Sequence, residues 1–91
     1  MAKLDLYVAG QSRNSMVAMK NLKATLARLP DNAVELTVID VLADPMRALD
    51  EGVLVTPTLI RRDPQPIRIV IGTLADTDEM MTLFDLETAA H

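Results

Sequence analysis

A chain of 91 residues, 49% apolar and 24% charged, is the size and composition of one globular domain, residues 1–91, with enough surface to bury for a single core. Its 13 acidic residues outnumber nine basic ones, a formal charge of −4 that repels phosphate backbones and anionic lipid; Tyr7 and Phe84 are too few aromatics for a base-stacking platform, so neither nucleic acid nor membrane is expected as a partner. No cysteine is present, which removes disulfides, thiolate metal sites and thiol catalysis, and no apolar run approaches the roughly 18 residues of a membrane span or forms a secretory h-region, so a cytoplasmic protein is expected.

Residues 4–8 (LDLYV) alternate, with Leu4, Leu6 and Val8 on one face, and predict a strand that Gly10 ends. From Ser15 onward, Met16, Met19, Leu22, Leu26 and Leu29 recur at helical spacing until Pro30 and Asp31-Asn32 stop the helix. Residues 35–41 are β-branched and almost continuously apolar toward their end, which predicts a parallel, central strand covered on both faces. Asp44 offers an N-cap, Pro45 suits a first helical position, and Gly52 can close the short helix in a left-handed turn. Met46 and Leu49, three apart, are expected to pack inward, which leaves Asp44, Arg47 and Asp50 facing out.

Residues 53–60 read as a strand that Pro57 confines to a start or an edge. After a turn over 62–66, residues 67–71 form the second arm of a hairpin, broken by Gly72. Asp76 and Glu79 have the offset of a capping box, and Met80, Leu83 and Phe84 then share one face of a last helix. The order β-α-β-α-β-β-α, with a right-handed crossover between the first two strands, predicts an α/β fold whose mixed sheet carries helices on both faces, the thioredoxin-like arrangement.

In that arrangement Ser12 and Ser15 stand at the spacing where thioredoxins keep two cysteines. Neither can form a thiolate, so this degenerate redox position is expected to be a surface, with Ser15 as a helix cap. Asp76, Asp78 and Glu79 lie at a helix start, where carboxylates complement the dipole without acid–base work. Arg61, Arg62 and Arg68, with Lys3 and Lys23, can form a positive area that meets an acidic partner. The lone histidine, His91, is read as a tail residue and not a ligand. No catalytic, metal or cofactor site is expected.

The strings LYVAGQSRNS, VIDVLADP, VTPTLIR and IRIVIGTLAD follow in the order and spacing of one family, and the chain resembles KaiB, the bacterial circadian clock protein family, over nearly its whole length. The resemblance implies a non-enzymatic protein that binds a hexameric RecA-like ATPase, KaiC, and in some systems helps to sequester KaiA. It also implies two folds: a thioredoxin-like state that binds partners, and a rearranged ground state, forming dimers and tetramers, in which the segment after about Ala43 is rebuilt. The short helix with Asp44, Arg47 and Asp50 then lies near the ATPase-binding surface, and Arg61, Arg62 and Arg68 remain candidate partner contacts through their charge. Thr56 and Pro57, Gly52, Gly72, Leu83 and Asp85 become positions for a cis-proline or for the fold switch.

Three departures stand out: Arg13 where the family commonly has proline, Thr73 where it has aspartate, and Leu83 where it has glycine. Because glycine in a helix interior costs about 1 kcal/mol relative to alanine, Leu83 favours the last helix and with it the thioredoxin-like state. Two other readings compete: a KaiB-like sensory or competitor module of a histidine-kinase pathway, and a glutathione-dependent enzyme that uses Ser12 or Tyr7.

Overall fold

The computed structural model describes residues 2–76 together with Glu79, Met80 and Leu83. Four strands, β1 (Ala2–Val8), β2 (Val34–Asp40), β3 (Thr58–Asp63) and β4 (Arg68–Ile71), form one sheet in the order β2-β1-β3-β4. Helix α1 (Arg13–Leu26) links the first two strands and α2 (Pro45–Asp50) precedes β3. Pairing of β1 with β2 is parallel, whereas β1–β3 and β3–β4 are antiparallel, so the sheet is mixed as expected.

Strand alternation sorts the side chains into two cores. Leu4, Leu6 and Val8 of β1 meet Ala18 and Leu22 of α1 on one face, together with Met80 and Leu83. On the other face Tyr7, Ile39 and Ile60 lie under Ala48 of α2. Each fully buried leucine contributes roughly 1.5–3 kcal/mol. Helices thus cover both faces, and Glu79, Met80 and Leu83 are helical. Asp76 Oδ1 accepts from the Glu79 amide at 3.1 Å, as the capping-box spacing predicts.

Three expectations are corrected. Strand β2 is parallel but lies at the sheet edge, with Thr37 and Val38 exposed; β1 and β3 hold the centre, because β3 returns to pair with the other side of β1. The inward stripe of α1 is Ser15, Ala18, Leu22 and Thr25, and Met16 turns outward. The third strand begins only at Thr58, after Pro57, so residues 53–57 form the approach to it. Among the described residues, no helix is long and apolar enough to cross a membrane.

Candidate functional site

At the junction of β1 with α1, Ser12 is the N-cap, and its Oγ accepts from the Ser15 amide at 3.4 Å. The cap is therefore Ser12 and not Ser15. Ser15 is buried in the first turn, where its Oγ accepts from the Ala9 amide at 3.0 Å and from the Ser12 hydroxyl at 2.8 Å. Asp40, at the end of β2, braces the same turn through Oδ1, which accepts from the Gly10 and Leu42 amides, each at 2.9 Å. Gly10 has φ +54°, and a Cβ there would sit 3.1 Å from Leu42 Cδ1, so the tight turn requires glycine. The two hydroxyls bond to each other, and each accepts from a backbone amide, that of Ser15 for Ser12 and that of Ala9 for Ser15, so the pair clasps the turn between β1 and α1.

On the opposite face, Asp44 caps α2 by accepting from the Arg47 amide at 3.3 Å. Asp44, Arg47 and Asp50 are exposed, as expected. Met46 and Leu49 are not packed inward: both are 64% exposed, because Ala48 faces the sheet. At about 100° per residue, Met46 and Leu49 point well away from Ala48, so a six-residue helix cannot seat all three on the sheet. Leu54 and Val55, which follow Gly52 in the chain, are also exposed, and the φ of +73° at Gly52 permits the turn out of the helix.

Beneath α2 lies a polar cluster that sequence patterning missed. Arg62 Nε donates to Asp5 Oδ2 at 3.0 Å, and its Nη2 donates to Glu51 Oε2 at 2.7 Å and to the Tyr7 hydroxyl at 3.5 Å. The cluster ties the end of α2 to β1 and β3. Burial works against the Arg62 charge, but the hydrogen bonds with Asp5 and Tyr7 and the attraction of Glu51 outweigh it and raise its pKa above the usual arginine value. The available signal was Asp5, a charge on the inner strand of an apolar alternation.

The basic area anticipated from Arg61, Arg62 and Arg68 does not form as one surface. Arg61 is 2% exposed and points into the α1 face, where Nη1 donates to the Leu83 carbonyl and Nη2 to the Pro66 carbonyl, both at 2.8 Å. Arg62 faces the other way, and Arg68, opposite Arg61 on β4, is exposed. The Thr56–Pro57 bond is cis; Pro57 is buried, Thr56 is half-buried, and the Pro57 carbonyl accepts from the Gly72 amide at 3.0 Å. Asp85, Asp78 and His91 lie outside the described residues.

Comparison with known proteins places this architecture. A family model described as the KaiB domain matches residues 5–86. The chain belongs to the KaiB family. The circadian clock oscillator protein KaiB of Gloeothece citriformis is 42% identical over 83 residues, which span 91% of this chain and 78% of that protein. Among solved structures, the N-terminal domain of Synechococcus elongatus SasA superposes with a TM-score of 0.76 at 22% identity, covering 99% of this chain and 85% of that one. Mitochondrial thioredoxin 3 of Saccharomyces cerevisiae superposes with a TM-score of 0.70 at 21% identity, over 89% and 74% of the two chains. Both structures establish the thioredoxin-like fold, and the KaiB match includes the serine clasp, α2 and the Arg62 cluster.

Proposed function

We propose that this member of the KaiB family is a non-enzymatic timing adaptor that docks on a KaiC-like hexameric ATPase and modulates its ATPase or phosphorylation cycle. The observation that carries the reading is its 42% identity to proteins named as circadian clock oscillators, over a segment that includes both sheet faces. The docking surface is α2, with Asp44, Arg47 and Asp50 beside the exposed Met46 and Leu49. Apolar side chains flanked by charges supply both the burial and the orientation that a protein contact needs. Arg68 adds a positive group on β4, while Arg61 and Arg62 act from within by holding the fold.

The chain works in the cytoplasm without a cofactor, as a monomer or a dimer or tetramer, and a KaiA-like protein or a histidine kinase meets it at the ring. The thioredoxin-like arrangement is the binding-competent state. The rearranged KaiB ground state is its reserve, and the partner selects between them by differential affinity. Gly52, Thr56, Pro57, Gly72 and Leu83 lie along the segment that would be rebuilt.

Native mass spectrometry of the protein with the KaiC-like ATPase of the same genome, in ATP and in ADP, tests the reading. A nucleotide-dependent complex with up to six copies per ring, accompanied by a changed ATPase rate, supports it. A complex that leaves the rate unchanged but displaces a histidine kinase identifies a competitor instead. No complex in either nucleotide defeats the proposal.

A further inference from the structure

Helix α2 carries the side chains of the docking surface put forward above, yet little of its own holds it in place. Its six residues are far fewer than the roughly 12–15 at which an isolated helix becomes even marginal in water, so its geometry comes from what it is fastened to. Ala48 is its one buried residue. The first end is tied to β2 through the backbone, since the Ala43 and Asp44 amides donate to the Asp40 carbonyl at 3.0 and 2.9 Å. The last end is tied to the sheet by a side chain. Arg62 Nη2 donates to Glu51 Oε2 at 2.7 Å, while Arg62 Nε donates to Asp5 Oδ2 at 3.0 Å.

A surface ion pair usually contributes little, because two long side chains must be ordered to form it. Arg62 is a different case. Its guanidinium is already oriented by Asp5, whose side chain is 17% exposed, and by the Tyr7 hydroxyl, so pairing with Glu51 orders only one more side chain. Building on the adaptor reading, we propose that Arg62 is a positioning residue for the docking surface: through Glu51 it holds the last turn of α2 at one angle to the sheet. Met46, Arg47, Leu49 and Asp50 lie in the stretch that immediately precedes Glu51, so a tilt of that end displaces all of them together. A surface that is competent for only a fraction of the time binds more weakly by that fraction. Arg62 acts from beneath the helix, with its fork bonded to Asp5 and Tyr7 of β1.

Amide hydrogen exchange and affinity for the KaiC-like ATPase of the same genome, both measured on the full chain, are the test. Glu51→Ala removes the acceptor at an exposed position and leaves Asp5 paired with Arg62. The Glu51, Gly52 and Val53 amides, which donate to the Arg47, Leu49 and Ala48 carbonyls, are expected to exchange at least about threefold faster, while those of β1 and β3 keep their wild-type rates. The Kd for the ring, by titration calorimetry, is expected to rise about three- to tenfold. Arg62→Lys, whose single ammonium cannot replace the fork, is expected to weaken binding as well. The double variant is expected to bind no more weakly than the worse single one, because both changes break the same bond. Unchanged exchange at residues 51–53, or faster exchange with an unchanged Kd, overturns the proposal. Losses that add in the double variant also overturn it, since Glu51 then meets the ring directly. A wild-type chain that binds no ring defeats the adaptor reading and the positioning role with it, whereas any of the other adverse results, with wild-type binding intact, defeats the positioning role alone.

Discussion

Arg62 has three acceptors: Asp5 and the buried Tyr7 hydroxyl, both in β1, and Glu51 just after α2. Replacing it with alanine strands the half-buried Asp5 carboxylate and releases the end of α2, a loss of about 1–3 kcal/mol that urea denaturation measures as a lower midpoint at constant slope. Arg61 is a different case. Its guanidinium satisfies the carbonyls of Leu83 and Pro66 inside the protein, so Arg61→Leu is expected to cost about 3 kcal/mol, more than a surface arginine would. At the serine clasp, Ser12→Ala removes the cap and costs about 1 kcal/mol. Adjacent arginines look alike in the sequence. Strand alternation sends them to opposite faces, which composition and charge cannot express.

Among the elements, α2 is short enough that its inner face could not be read from spacing. Six residues make fewer than two turns, and a 46/49 pair or a lone Ala48 fits the same pattern; the sheet beneath chose Ala48, whose small side chain lets the helix lie close over Tyr7 and Ile60. The exposed Met46 and Leu49 can therefore be changed without unfolding the protein. Met46→Gln with Leu49→Gln is expected to leave stability within about 0.5 kcal/mol while weakening the proposed complex with the ATPase ring, read by titration calorimetry beside thermal melting. The position of β2 was illegible for another reason. A run such as Val38, Ile39 and Val41 signals apolar cover, but whether a strand is central depends on which strand pairs beyond β1, and that partner is β3, some twenty residues downstream of β2.

Over the whole molecule, the last helical segment locks the α1 face. Leu83 is buried against that core and its carbonyl accepts from Arg61, so residue 83 serves both packing and the internal arginine. Leu83→Gly combines a large-to-small core loss of about 2–5 kcal/mol with about 1 kcal/mol of helix propensity. It is expected to shift the population away from the thioredoxin-like arrangement, which NMR secondary shifts of β3, β4 and Met80 would report. Unchanged shifts would remove Leu83 from the account of the resting state.

What the sequence alone determined was local or chemical. The alternation of β1, the caps at Asp44 and Asp76, the turn at Gly52 and the β-α-β-α-β-β-α order follow from side-chain periodicity and backbone preference, and the lack of cysteine forbids thiol chemistry at Ser12 and Ser15. The four family strings likewise needed no coordinates. Only the tertiary structure decided which strand is the edge, which arginine is buried, and that Met46, Leu49, Ile69 and Ile71 stand in solvent. Those outcomes depend on pairings between residues far apart in the chain, and a residue's exposure is set by what the rest of the molecule brings to its side.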